Sequence, residues 1–335
     1  MAGKGPILAA ARPRPYALAR APPERETMIT PLLLLAALVQ DPAPVEAPPA
    51  PPASAASAGA QRAALVPGAL PANCDPAAAA AWQALCAAVG ATADHPRVRA
   101  FELEFEGRAR REGASNDFDI ESFQYLEPGW VRMTLKSGRV RLRGPAGDYL
   151  LDTKRKTTVP LRGKDLANDI RELDDTVRIA RSFVALTDPA NVRLAALAGG
   201  MPPPSLPEKF RERGAALAWL DLTSPDFHAR APGIDGAPEP LYRVRIGCDP
   251  ATHVPALAVI HEAVEGRMRL ETAMLFEFSG YAVLDGYQVP WKVRTFAPDP
   301  ERSPWVFEER PSLELWLLSG SLAPELAEAD FLPPE

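Results

Sequence analysis

Four histidines, three cysteines and a scatter of carboxylates are the residues of this 335-residue chain that could do chemistry. The histidines are His95, His228, His253 and His261. His253 and His261, with Glu262 beside the second, have the right types for a metal or acid/base cluster, but no third ligand stands at a suitable interval from them. Cys74, Cys86 and Cys248 form no CxxC and have no partner histidines at zinc spacing. If the segment around Cys86 is helical, Cys74 lies about three turns away and outside disulfide reach. A bridge from either to Cys248 and three separate buried thiols both remain compatible with the sequence. Carboxylate pairs such as Glu102/Glu104 and Asp174/Asp175 stand side by side, whereas glycoside chemistry needs two carboxylates facing each other across a cleft. The chain has no GxSxG elbow, no GxxxxGK[ST] loop, no GxGxxG after a strand and no HExxH. The reading is a protein without catalysis, metal or cofactor.

The chemistry that remains is that of apolar binding. Phe101, Leu103 and Phe105 alternate with Glu102, Glu104 and Glu106, so one strand face is apolar and the other charged. Val131, Met133 and Leu135 alternate with Arg132, Thr134 and Lys136 in the same way, and Val140 and Leu142 are assigned to the same buried face. Met268, Leu270, Met274 and Phe276 share a face further on, and Leu313 and Leu315 alternate near the C-terminus. Long pliable side chains of this kind adapt to irregular apolar ligands, and they also fill ordinary cores.

These faces need strands and helices to hold them. Asp75, Pro76 and Gly90 bracket a helix with Trp82, Leu85 and Val89 on one side. A strand follows, "GASND" makes a turn, and further strands are centred on Met133, Leu142 and Leu150 with "KSG" and "RGPAGD" between them. The stretch "KDLANDIRELDDTVRIARSFVAL" spaces Leu166, Ile170, Leu173, Val177, Ala180 and Val184 by threes and fours, which predicts an amphipathic helix lying on the sheet. A second short helix is expected over residues 192–197, and "MPPPSLPE" reads as a loop. The rest returns to strands, with Asp285-Gly286 as a hairpin turn before Val289, Trp291 and Val293. No parallel βαβ rhythm and no repeat is present. The fold class expected is α+β: one strongly curved antiparallel sheet, an unclosed β-barrel, with helices covering one side.

Lys and Arg number 37 and Asp and Glu 43, a net charge of −6, which gives no general drive toward nucleic acid. The basic clusters "GRARR" and "TKRKT" suit anionic headgroups or simply charged hairpin ends. Residues 1–40 read as a targeting segment: the apolar run 32–39 has the size of a signal-peptide core, and Met28 is an alternative start. Residues 41–72 are nearly all Pro, Ala and Ser and read as a flexible tether. Residues 73–335 form the domain, with a helical insertion over about 163–209. Export to the periplasm or cell envelope is the expected localisation.

The order of short motifs resembles the LolA-like family of periplasmic outer-membrane lipoprotein carriers and lipoprotein-sorting proteins. The matching pieces are "YLEPGWVRM" (Glu127, Pro128, Trp130, Arg132), "RGPAGDYLLDTKRKTTVPL" (Gly147, Tyr149, Leu151, Asp152), "LDGYQVPWKV" (Gly286, Pro290) and "LAPELAEADFLPPE" (Phe331, Pro333, Pro334). The resemblance implies an open barrel whose concave apolar face takes acyl chains of lipoproteins or another lipid. It implies membrane-bound donor and acceptor proteins as partners, and a lid helix with Leu166, Ile170, Leu173, Val177 and Val184 on its apolar face. Where the carriers have a basic residue before the first proline, which helps hold the lid, this chain has Glu127, and its insertion is longer and more charged. A non-carrier interaction or sensor module on the same fold is the second expectation.

Overall fold

The first helix forms where the sequence supplies both of its ends. In the computed structural model, which describes residues 65–111, 114–127, 129–161, 167–227, 241–264, 267–299, 301–302 and 306–334, α1 spans Pro76–Ala88. The Asp75 carboxylate accepts from the Ala77 N–H at 3.2 Å and Pro76 occupies the first turn, where a missing N–H costs nothing. Every described residue falls in one compact unit. The targeting segment, most of the tether, Pro128, Leu166 and His228 lie outside the described residues; Gly68, at the end of the tether, already donates its N–H to the Val192 carbonyl.

A meander follows: β1 (Ala100–Arg111), β2 (Ala114–Leu126), β3 (Trp130–Leu135), β4 (Arg139–Gly144), β5 (Gly147–Asp152) and β6 (Thr157–Pro160). After α2 (Ala167–Thr187) and a 3₁₀ turn (Pro189–Asn191) come β7 (Ala196–Gly199), α3 (Glu208–Ala215) and β8 (Ala218–Ser224). Next are β9 (Leu241–Cys248), β10 (Pro255–Val264), β11 (Arg267–Leu284) and β12 (Tyr287–Phe296). The β11–β12 turn is Asp285-Gly286, both at positive φ (48° and 86°), the twist a two-residue hairpin needs. The short pair β13 (Pro298–Asp299) and β14 (Val306–Phe307) precedes β15 (Leu313–Ser321) and a closing 3₁₀ turn, Glu328–Phe331.

The main sheet has 13 antiparallel strands in the order β6-β5-β4-β3-β2-β1-β15-β12-β11-β10-β9-β8-β7, with β6 and β7 as its two edges. β15 joins the two meanders by pairing with β1 on one side and β12 on the other. The sheet is open and strongly curled. Seven strand spacings separate β2 from β8, roughly 34 Å if flat, yet Tyr125 of β2 and Asp226 just beyond β8 line one cavity of about 280 Å³. Register shifts in β1, β2 and β10 supply bulges, which sharpen such curling.

The concave side holds the main core, where Phe101, Leu103, Phe105, Val131, Met133, Leu135, Met274, Phe276, Leu313 and Leu315 meet Trp82 and Leu85 of α1 and Val177 and Ala180 of α2. Several expectations need correction. Val140 and Leu142 lie on the convex face: the β3–β4 register sets Arg141 opposite Met133 and Arg143 opposite Val131, and directly opposed residues of an antiparallel pair share a face. No helix forms over residues 192–197: residues 192–195 have no regular structure and residues 196–199 form β7, since Leu197 gains a ladder partner in Leu222. The turn after β1 is shorter than "GASND", because Ala114 to Asp117 already pair with β1.

Helices also cover both sides rather than one. Leu257 and Val259 of β10 and Ala273 and Leu275 of β11 face the convex side, where Phe210 of α3, Leu206, Phe296 and Phe307 bury them in a second core. The runs "ALAVI" and "AMLF" carry that signal, being apolar without alternation as strands buried on both faces are.

Candidate functional site

The concave apolar face is closed by α2. The Phe183 ring stands edge-on to Phe101 at 5.3 Å between centroids, and the Arg178 guanidinium reaches the Met274 sulfur at 3.8 Å. Leu173, Val177 and Ala180 are fully buried, Val184 is half-buried, and Ile170 lies in the helix. Thr176 and Ser182 are fully buried on the same helix. The buried surface of α2 is therefore partly polar.

Polar ties hold both parts of this helix. Arg143, on the concave face of β4, makes a fork to Asp148 (2.8 and 2.7 Å) and reaches Asp174 of α2 at 2.8 Å. Such bidentate pairs are geometrically demanding and hold a guanidinium in one orientation. At the other end, Asp188 accepts from the Val98 N–H at 2.9 Å and from the Asn191 amide at 2.9 and 3.1 Å. Burial raises the Asp188 carboxyl above the usual carboxylate range, with those hydrogen bonds acting the other way.

The cavity opens beside that second tie. Its walls are the lead-in to β1, the end of β2, the last two turns of α2 and the chain on either side of the β7–β8 hairpin. Charges line it in pairs: Arg97 to Glu127 at 2.8 Å, and Arg193 to Asp226 at 2.7 Å. Arg181 of α2 rests against the backbone of Gly129, where a Cβ would stand 3.0 Å from Nη2. Burial raises the Tyr125 phenol, and Arg181 opposes that rise. Val98, Tyr125 and Val192 belong at once to this lining and to the concave core. Sequence reasoning singled out Glu127 but not its partners, since Arg97, Arg181, Arg193, Asp188 and Asp226 have no common period or motif.

The residues considered for catalysis are not brought together. His253 lies in the β9–β10 turn and His261 in β10, eight residues or roughly 26 Å of extended chain away. His261 is buried on the convex side beside Arg243 and Arg245; burial first, and then those two cations, push its pKa down to about 4. His95 packs edge-on against Tyr287. Among the described residues no group of three or more His, Cys, Asp or Glu is arranged to hold a metal ion. Cys74, Cys86 and Cys248 are free thiols, and burial pushes Cys86 and Cys248 up to about 12. Glu102 and Glu104 face outward and accept from Ser122, Gln124 and Ser319 side chains. The "GRARR" cluster is tied down by Asp117 and Glu308, both at 2.7 Å. The side chains of Met268 and Leu270 lie outside the described residues.

Three of the four stretches on which the family resemblance rests meet on the convex face, while "LDGYQVPWKV" lies in the β11–β12 hairpin, with Gly286 against His95. Phe331 packs with Val140, Leu142 and Leu151, against Trp130 and Tyr149, and Arg132 donates to the Asp330 carbonyl at 3.0 Å. Gly144 makes room for this closing segment: a Cβ there would stand 1.9 Å from the Phe331 carbonyl oxygen.

No family model matches the chain, and no curated protein matches it. Among solved structures it is similar to a DUF1329 family protein from Desulfovibrio piger, with 13% identity, a TM-score of 0.39, and coverage of 76% of this chain and 97% of that one. A domain assigned to outer membrane lipoprotein sorting from Vibrio parahaemolyticus is similar at 12% identity and TM-score 0.39, with the same coverage. A LolA superfamily protein from Nitrosomonas europaea is similar at 12% identity and TM-score 0.37, again over 76% of this chain and 97% of the other. No helix among the described residues is long and apolar enough to cross a membrane.

Proposed function

We propose that this chain is an exported, non-catalytic binding protein for the acyl chains of a lipoprotein or another lipid, with α2 as the displaceable cover of its binding face. One observation carries the reading: a curled sheet presents Phe101, Val131, Met133, Met274 and Phe276 on its concave side, and α2 covers them with a partly polar surface held by side-chain ties. An acyl chain matches that face better than the Ser182 hydroxyl does, because apolar surface gains about 25 cal/mol per Å² on leaving water, while Ser182 is buried with no hydrogen-bond partner for its hydroxyl among the described residues. Displacement of α2 exposes the part of the face it covers without breaking a strand ladder, while α1 stays packed on the rest. Hand-over between membrane-bound donor and acceptor proteins follows from the same reading, as does export on the strength of the apolar run 32–39.

The test is native mass spectrometry of the gently purified full chain, together with titration by an apolar fluorescent dye. Co-purifying lipid, displaceable by the dye, is the expected result. A ligand-free protein that leaves the dye dark refutes the reading. A second reading, an interaction module with a plain core, is favoured by the complete burial of Val131, Met133 and Val177, all at 0% exposure. A partner captured by crosslinking whose binding survives Met274→Lys supports that reading instead.

A further inference from the structure

The basic stretch "TKRKT" forms the tip of the β5–β6 hairpin, at one edge of the sheet and away from the concave face. We infer that this tip is a docking surface for the anionic headgroups of a lipid bilayer. Its chemistry does not depend on what the concave face holds.

The tip carries a net positive charge. Residues 152–157 set Lys154, Arg155 and Lys156 against Asp152, so their formal charge is 3 − 1 = +2, on a chain whose total is −6. Asp152 is committed to the turn: one of its oxygens accepts from the Lys154 and Arg155 N–H groups, both at 3.0 Å, and the other lies 3.6 Å from Arg155. The Arg155 side chain is 73% exposed all the same, and among the described residues neither exposed Lys154 nor exposed Lys156 has a carboxylate partner. The neighbouring β3–β4 hairpin adds nothing to this charge, because Lys136 is paired with Asp119 at 3.1 Å, with Glu121 and Glu106 acting on it from further off, and Arg139 has an interaction of its own. "GRARR" has a similar composition, but Asp117 and Glu308 neutralise it.

The array is also held in place. Thr153 gives both its N–H (2.8 Å) and its hydroxyl (3.0 Å) to the Gly138 carbonyl, and the Lys154 stem lies so close to Gly138 that a Cβ there would stand 2.9 Å from Lys154 Cγ. Charges that are already positioned lose less freedom on docking than a loose tail does. Charges that merely guard a sheet edge belong on the edge strand, yet Thr157, Thr158, Val159 and Pro160 of β6 carry none. Three cations around an exposed turn suit charge spread over a plane. Val159, 43% exposed on the adjoining strand, adds an apolar side chain that the headgroup boundary can take up. On an acidic chain such a local excess turns the tip toward a negative surface during approach.

The experiment floats the full chain with vesicles of phosphatidylcholine alone or mixed equally with phosphatidylglycerol, in about 0.1 M and about 0.5 M salt. The wild type should prefer the mixed vesicles, and the preference should shrink as salt rises. Lys154→Gln combined with Lys156→Asn alters two exposed positions, and asparagine suits the left-handed backbone at residue 156 (φ 52°). This pair should lower the preference tenfold or more, since each cation near anionic lipid is worth about fivefold in partition. Arg108→Gln with Arg110→Gln removes the same formal charge from paired positions and should lower it threefold or less. Any contribution of residues 1–64 is common to all three proteins and cancels from these ratios. A preference that survives in the hairpin variant, or falls equally in the control, overturns the docking surface. Binding to soluble polyglutamate that the hairpin variant abolishes, with no preference between vesicles, overturns the bilayer and assigns the tip to an acidic protein partner.

Discussion

Met133→Ala probes the wall of the proposed binding face directly. Met133 is 0% exposed, lies in the centre of β3 between Phe123 of β2 and Arg141 of β4, and belongs to the cluster that Val177 of α2 covers. Truncation removes most of a side chain whose full burial is worth about 1.5–3 kcal/mol, and the unfilled space beneath α2 raises the cost to about 2–5 kcal/mol. We expect about 3 kcal/mol, because a strand locked on both sides collapses poorly. Urea denaturation followed by tryptophan fluorescence measures it, with Met133→Leu as the volume-conserving control at under about 1.5 kcal/mol. The same void lies on the proposed acyl-binding face, so dye affinity should rise in Met133→Ala although the fold is weaker. A loss below 1 kcal/mol would refute the packing argument. Dye binding that falls in Met133→Ala would refute the assignment of this face.

Three further outcomes follow from other parts of the molecule. His261 has a folded pKa lowered from 6.5 to about 4, so its contribution is complete above pH 6.5 and is lost as pH falls toward 4, at most about 3 kcal/mol at 1.36 kcal/mol per pH unit. His261→Gln should flatten that part of the stability profile, and an unchanged wild-type slope would contradict it. A thiol reagent at pH 8 should modify half-buried Cys74 first and reach Cys86 and Cys248 only on unfolding, since thiols at about 12 are thiolate in about one molecule in ten thousand. Mass-mapped labelling in 0 and 8 M urea checks this. Phe331→Ala should cost about 3–5 kcal/mol, because its fully buried ring closes the cluster over β4 and β5, and hydrogen exchange should show those strands loosened first.

Local patterns proved sufficient where one residue's neighbours in sequence are also its constraints. Asp75 and Pro76 start α1, Asp285-Gly286 turns β11 into β12, and the alternation of Phe101, Leu103 and Phe105 sets which face of β1 is buried. The open antiparallel sheet with helices was legible in the same way, as was most of the concave face, through Val131, Met133, Met274, Phe276, Leu313 and Leu315.

What the sequence could not determine are the quantities fixed by pairing between distant segments. "RVRLRG" alternates equally well either way round, and only the β3–β4 register turns Arg141 and Arg143 inward and sends Val140 and Leu142 to Phe331, nearly two hundred residues on. The short run "ALAG" becomes a strand because β8 offers it a ladder. The charged cavity depends on the curl of the sheet, which brings the end of β2 and the chain beyond β8 to the same helix. Periodicity reports which side of an element avoids water, so composition and spacing determined the faces. Where two faces meet, and what opposite charges they set against each other, was decided by strand register and curvature, which are properties of the assembled sheet.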